Sequence, residues 1–170
     1  ESIPGLERDI FFTRRAPFGV FVCIVPFNYP IGLFTHKVAP GLIMGNAIIV
    51  KPSSENSLEV IRLVELLMEC GVPGEVIQIV TGSGSTVGKY LVQNPAVDAV
   101  SLTGSTEIGI EILKDSAQAM HRVFLECGGN DPLIIFEDAD LDLAVTESIS
   151  GRVPNGGQIC SASKRFIVPK

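Results

Sequence analysis

Cys160, Glu126, Lys51 and two glycine-rich turns are the parts of this sequence whose types and spacing could do chemistry. Cys160 lies in the stretch Asn155-Gly156-Gly157-Gln158-Ile159-Cys160-Ser161. Glycines let a backbone approach a ligand closely, and a thiol near a helix start ionises more readily and attacks as thiolate. Cys160 is therefore a candidate nucleophile; the alternative is a buried structural cysteine. Glu126 ends an apolar run and is followed by Cys127-Gly128-Gly129. It is either a general base or an ordinary surface acid. The two turns are Thr81-Gly82-Ser83-Gly84, with Gly88 on the next turn, and Thr103-Gly104-Ser105-Thr106. Each precedes a helical pattern, and helix N-termini offer backbone N–H groups and a positive dipole end to phosphates. Two such turns on one edge suit a dinucleotide. However, Gly82-x-Gly84-x-x-x-Gly88 has an extra residue relative to the usual fingerprint, and these glycines could equally do no more than cap strands.

The elements that must position these residues alternate along the chain. Val20–Val25 predicts a strand ended by Pro26. Ile31–Met44 is apolar with a helical pattern, interrupted by Pro40 and closed by Gly45 and Asn46. Ala47–Lys51 predicts a second strand, and Ser57–Cys70 a helix whose broad apolar face includes Leu58, Ile61, Val64 and Met68. Gly71 and Pro73 stop that helix. Val76–Val80, Val97–Leu102 and Val123–Glu126 predict further strands, separated by helices over Ser85–Gln93 and about Thr106–Ala117. The repeat implies βαβ units, so the fold class is α/β: an open, mostly parallel, Rossmann-like sheet with flanking helices. Near-continuous apolar strands agree with a sheet covered on both faces.

The pattern changes after Gly128 and Gly129. Pro132–Phe136 is another apolar run, a helix begins near Leu141 behind Glu137, Asp138 and Asp140, and Arg165–Val168 predicts a strand. A boundary near Gly128 divides the chain into a dinucleotide-binding domain, 1–128 with its core at 17–128, and the start of a second α/β domain, 129–170. In open α/β sheets ligands bind at the carboxyl ends of the strands. That edge would collect Asn28, Lys51, both turns and Glu126.

Composition excludes several classes. Of 170 residues, 46% are apolar, enough for a real core, and the net charge of −6 is spread rather than clustered. Nucleic-acid surfaces want a basic stripe, so no nucleic-acid partner is expected. The apolar runs are too short to span a bilayer, and the polar opening, with Pro4, does not suggest a signal peptide, so no membrane association is expected. Cys23, Cys70, Cys127 and Cys160 show neither CxxC spacing nor a nearby His pair, which argues against a metal site. Cys23, inside an apolar run, suits a reducing, cytoplasmic compartment. His36 and His121 have no partner motif and no role is assigned to them.

Taken together and in order, these motifs resemble the aldehyde dehydrogenase superfamily. The matching pieces are Pro26–Pro30 (PFNYP), Lys51–Ser54 (KPSS), Gly82–Gly88 (GSGSTVG), Leu102–Gly109 (LTGSTEIG), Glu126–Pro132 (ECGGNDP) and Gly157–Cys160 (GQIC). The resemblance runs from about Pro17 onward. It implies oxidation of an aldehyde to a carboxylic acid with NAD or NADP. Cys160 would attack the carbonyl to give a thiohemiacetal. The Asn28 amide, with the Cys160 backbone N–H, would hold the oxyanion. After hydride transfer, Glu126 would activate water to hydrolyse the thioester. Lys51 would hydrogen-bond the adenosine ribose and Ser105 the pyrophosphate. Ile24, Pro26 and Ile108 would line the cofactor cleft, with Ser54, Gly84, Gly88, Thr103 and Gly104 also on the cofactor side. Keeping Glu126 favours hydrolysis over transfer to coenzyme A.

The resemblance further implies that the family's remaining catalytic domain, a further glutamate, pocket walls and subunit-bridging strands would lie beyond Lys170. The complete enzyme is expected to be a homo-oligomer acting on a small aldehyde. The 170-residue chain alone is expected to be inactive and poorly soluble, with the Arg165–Val168 strand lacking partners. A nucleotide-binding fragment without catalysis, or an inactive remnant, are the competing readings. Three positions depart from the common pattern: Phe27 stands for Trp, Cys127 for Leu, and Ser54 for the Glu of many NAD-preferring relatives. A carboxylate would repel a 2′-phosphate; Ser54 would not, and Lys51 would attract it. The full-length enzyme is therefore expected to tolerate or prefer NADP. Titrating both cofactors side by side measures this, and strong NAD selectivity would defeat it.

Overall fold

A computed structural model describes residues 4–5 and 11–170. Strands β1 (Val20–Ile24), β2 (Ala47–Lys51), β3 (Ile77–Ile79), β4 (Ala99–Thr103) and β5 (Arg122–Glu126) form one parallel sheet in the order β3-β2-β1-β4-β5. Helices α1 (Pro30–Ile43), α2 (Ser57–Glu69), α3 (Lys89–Gln93) and α4 (Thr106–Ala117) connect successive strands. Side chains alternate along β1, and both sets are apolar. Cys23 and Val25 pack with Phe34 and Val38 of α1 and Val60 and Val64 of α2. Val22 packs on the opposite face with Leu91 and Val92 of α3 and Ile112 of α4. A strand covered on both faces needs this continuous apolar run, which is why β1 looks so simple in sequence.

Helix α1 buries Phe34, Lys37, Val38 and Gly41 along one stripe. Gly41 permits a close approach to β2: a Cβ there would lie 2.7 Å from Ile48 Cδ1. Contrary to expectation, Pro40 does not interrupt the helix. Its ring removes the N–H that would bond the His36 carbonyl, but the buried stripe holds the axis, and the Met44 N–H still donates to the Pro40 carbonyl at 3.1 Å. The predicted helix over Ser85–Gln93 is also refined. It begins as a wide π-helical turn, Gly84–Gly88, before α3. The N–H groups of Val87 and Gly88 both donate to the Ser83 carbonyl, at 3.0 and 3.2 Å.

Beyond β5, strands β6 (Asp131–Ile134) and β7 (Ser163–Ile167) form a separate two-stranded parallel sheet joined through α5 (Leu141–Arg152). Asp140 caps α5, its Oδ1 accepting from the N–H groups of Asp142 at 2.9 Å and Leu143 at 3.1 Å. The strand expected to lack partners has one: Pro132 through Ile134 of β6 pair with Arg165 through Ile167. Helix α5 has no buried residue, and Leu141, Leu143, Val145 and Ile149 are exposed. All four cysteines are free. Cys23 is fully buried, and desolvation pushes its thiol up to about 12, with the nearby Lys37 charge pulling the other way. Among the described residues, no helix is long and apolar enough to cross a membrane.

Ile48 is 1% exposed between α1 and the sheet. Ile48→Ala should lower the unfolding free energy by about 2–5 kcal/mol, measured by urea denaturation. A loss no larger than the ~0.8 kcal/mol of one buried methylene would contradict this packing.

Candidate active site

Parallel pairing brings the carboxyl ends of β1, β2, β4 and β5 to one edge, and two adjoining cavities open there. The first, of about 400 Å³, has Asn28, Glu126 and Cys160 in its wall. Pro26, Thr103, Gly104 and Ser105 also line it. The second, of about 490 Å³, includes Gly84 and Gly88. Ile24, Lys51 and Ile108 line both, so the two are joined along β1 and α4. Ser54 lines neither; its hydroxyl reaches the Gly82 carbonyl at 3.4 Å, beside the turn leading to Gly84. Among the described residues, no cluster of His, Cys, Asp and Glu could hold a metal.

Cys160 reaches the cleft through a contorted turn after α5. Asn155, Gly156 and Gly157 all take left-handed backbone angles, with φ of 53°, 64° and 75°. Glycine adopts this region freely, and asparagine is among the few other residues that tolerate it. The turn is laced to the loop after β1. Asn28 Nδ2 donates to the Gln158 carbonyl at 2.7 Å, and Asn155 Nδ2 donates to the Asn28 backbone carbonyl at 2.9 Å. A carboxamide has two N–H groups, so the first bond uses only one of those on Asn28. The loop after β5 comes equally near: a Cβ on Gly129 would stand 3.3 Å from the Cys160 carbonyl. Cys160 itself is exposed.

Glu126 is held by side chains from two elements. Its Oε2 accepts from the Thr103 hydroxyl of β4 at 2.6 Å and from Lys37 Nζ of α1 at 3.4 Å. Its Oε1 lies 3.2 Å from His36 Nδ1. The Thr103 hydrogen bond draws the carboxyl below its ordinary value; partial burial opposes this, and the charges of Lys37 and His36 add to it. Lys37 is 5% exposed, and its Nζ also donates to the Ser101 hydroxyl at 3.0 Å. Burying an ammonium requires such partners.

Toward the second cavity, Lys51 is buried, and its Nζ donates to the Pro52 carbonyl at 3.0 Å. Desolvation lowers its pKa. Its side-chain carbons lie 3.6 and 3.7 Å from where a Gly88 Cβ would be. Ser105 caps α4, its Oγ accepting from the Ile108 N–H at 3.3 Å. Glu107 occupies the first turn of α4, and its carboxyl is held below the ordinary range by its own backbone N–H and the Ser105 hydroxyl.

Of the side chains that hold Glu126, Lys37 and His36 were not candidates from the sequence, and Thr103 was expected on the cofactor side without its bond to Glu126. Lys37 left one signal: a cation with no nearby acid in an apolar helical stretch has to find a distant partner. His36 left none.

The strand order and the cleft across the carboxyl edge define a doubly wound α/β fold of the dinucleotide-binding type, with a thiol and a carboxylate at one end of its cleft. The aldehyde dehydrogenase family model matches residues 1–170, and the chain belongs to that family. It is 40% identical over 169 residues to the NADP-dependent succinate-semialdehyde dehydrogenase of Escherichia coli, covering 99% of this chain and 35% of the relative. It is 42% identical over 165 residues to the NADP-dependent glyceraldehyde-3-phosphate dehydrogenase of Streptococcus equinus, covering 97% and 34%. Among solved structures, betaine aldehyde dehydrogenase from Staphylococcus aureus in complex with NAD+ superposes with a TM-score of 0.88 at 41% identity, covering 91% of this chain and 30% of that one. The chain thus spans about a third of the length of the curated relatives it matches.

The lowered Glu126 carboxyl adds stability above the pKa it would have in the unfolded chain, and that contribution is lost as pH falls through its folded value. Thr103→Val removes the largest cause of the shift. The Glu126 titration, followed by carboxyl NMR, should move up toward the ordinary range. The linked stability deficit should be present at neutral pH and shrink in acid. An unmoved titration would show that Thr103 does not set it.

Proposed function

We propose that this chain carries the cofactor cleft and reacting groups of an enzyme that oxidises an aldehyde to a carboxylic acid with NAD(P)+. The observation that carries the reading is the meeting of Asn28, Glu126 and Cys160 in one cavity that continues past Lys51 toward Gly88. Residues 17–128 serve as the core of a dinucleotide-binding domain covering 1–128, and 129–170 begin the catalytic domain.

The residues present fit a dinucleotide. Lys51 is a buried cation at the junction of the two cavities, able to meet ribose hydroxyls or a phosphate. Ser105 and the first turn of α4 would hold the pyrophosphate, and Ile24, Pro26 and Ile108 would supply apolar walls. Ser54, in place of a carboxylate, would not repel a 2′-phosphate, and two similar proteins are NADP-dependent by name. When bound, NAD(P)+ supplies the hydride acceptor.

The Cys160 sulfur attacks the aldehyde carbon, and the carbonyl π electrons move to oxygen. The second N–H of Asn28 and the Cys160 backbone N–H stabilise that oxyanion. Asn28 suits this task because a neutral donor does not quench the neighbouring thiolate. Loss of hydride from the same carbon restores the carbonyl as a thioester on Cys160. Glu126, ionised because its carboxyl is lowered, takes a proton from water. The resulting hydroxide attacks the thioester, Cys160 departs as thiolate, and the acid is released.

In the full-length protein, Cys160→Ser should abolish aldehyde-dependent reduction of the cofactor. Glu126→Gln should permit one turnover and then cut the steady-state rate by roughly 10²–10⁴. Stopped-flow absorbance of the reduced nicotinamide measures both, and undiminished turnover in Cys160→Ser would overturn the proposal.

A further inference from the structure

We propose that Lys164 is a positioning residue that aims the Cys160 backbone N–H at the oxyanion, a role that rests on reading Cys160 as the nucleophile. Lys164 lies on β7, four residues after Cys160. Its Nζ donates to the Cys160 carbonyl at 2.7 Å, to the Ala162 carbonyl at 3.1 Å and, more weakly, to the Ile159 carbonyl at 3.5 Å. An ammonium has three N–H groups, and all three are turned on the chain around the sulfur. The carbonyls of Ile159 and Cys160 belong to the two peptide units that flank the Cys160 α-carbon. Both face one cation, so the backbone that carries the thiol is gripped on either side.

In a planar trans peptide the C=O and the N–H point in opposite directions. The Ile159 oxygen faces Lys164 and also accepts the Ala162 N–H at 3.1 Å, so the Cys160 N–H of the same peptide unit is directed away from the ammonium. The preceding unit is fixed independently, its Gln158 carbonyl accepting from Asn28 Nδ2 at 2.7 Å. Both proposed oxyanion donors are thereby tied to successive peptide units of one turn. That turn needs an anchor, because Gly156 and Gly157 give it little stiffness of its own. Strand β7 supplies the anchor, since Ser163 pairs with Asp131 of β6. Asp131 Oδ2, 3.8 Å from Lys164 Nζ, balances its charge. A Cβ at Gly129 would stand 2.8 Å from that Asp131 oxygen and 3.3 Å from the Cys160 carbonyl, so the glycine leaves the space in which these groups meet. A charged donor also polarises the peptide units it bonds, which strengthens the N–H on their far side.

The test uses the full-length protein as wild type, Lys164→Met and Lys164→Gln. An aldehyde with NAD(P)+ and the ester p-nitrophenyl acetate both develop negative charge on a carbonyl oxygen as the sulfur attacks. Iodoacetamide does not, because the sulfur displaces iodide from a saturated carbon. In Lys164→Met the single-turnover rate of cofactor reduction and the burst of nitrophenolate release should each fall by about tenfold or more, toward the roughly 10²–10³ lost with an oxyanion donor. The alkylation rate on its high-pH plateau, where the thiol is ionised with or without a nearby cation, should match wild type. Lys164→Gln keeps two N–H groups for the loop and is read by the same split should Lys164→Met fail to fold. Acylation undiminished in a folded variant would overturn the proposal, as would acylation and alkylation falling together. A wild-type Cys160 that is alkylated but acylated by neither aldehyde nor ester would instead remove the reading beneath it.

Discussion

Everything at the cleft rests on β1 and β4 lying side by side and parallel while the helices that follow them leave for opposite faces. Because the strands are parallel, their carboxyl ends reach the same edge. Because α1 covers one face and α4 the other, the loops after β1 and β4 part and leave a cleft between them. Asn28 follows β1, and Gly104 and Ser105 follow β4, so the divergence itself puts an amide opposite a helix N-terminus. The constraint is maintained by side chains of ordinary type. Val22 and Cys23 are both wholly buried, each against a different helical layer.

The electrostatics follow from that placement. Helix α1 starts at the cleft and runs back over β1 and toward β4, which brings Lys37 to Ser101 and Glu126. One buried cation therefore ties the first helix to the last strand of the sheet. Thr103 reaches Glu126 from the neighbouring strand, in direct register with it. The carboxylate is thus oriented by its own sheet and by a helix on one face, while Cys160 arrives from the second sheet's connection. The lacing of Asn28 to Gln158 and Asn155 is what joins the two parts at the reacting end.

Much of this was legible in the sequence, and the rest was not for identifiable reasons. Near-continuous apolar runs mark β1, β2 and β4, and the βαβ repeat points to the partly exposed edge strand β5, so all four could be placed to within a residue or two, while Glu137, Asp138 and Asp140 announced the start of α5. Pro40 misled because a local rule about helix breaking was overridden by the tertiary contacts of Phe34, Val38 and Gly41. The candidate site was legible where glycine, serine and cysteine fall at strand ends in a recognisable order. Its wiring was not. Lys37 and Glu126 are 89 positions apart and Asn28 and Gln158 are 130 apart, separations that leave no local pattern. The bond from Thr103 to Glu126 spans 23 positions and depends on strand register, which only the assembled sheet defines.

The central claim is that one particular sulfur forms the covalent bond while Asn28 and Glu126 stand around it. The most direct measurement is peptide mass spectrometry of the full-length protein, acid-quenched during turnover of an aldehyde with NAD(P)+. The account predicts an acyl group on Cys160 and none on Cys23, Cys70 or Cys127. Oxidation of the aldehyde with the acyl group on another cysteine, or with none on Cys160 even when Glu126→Gln blocks its hydrolysis, would contradict it.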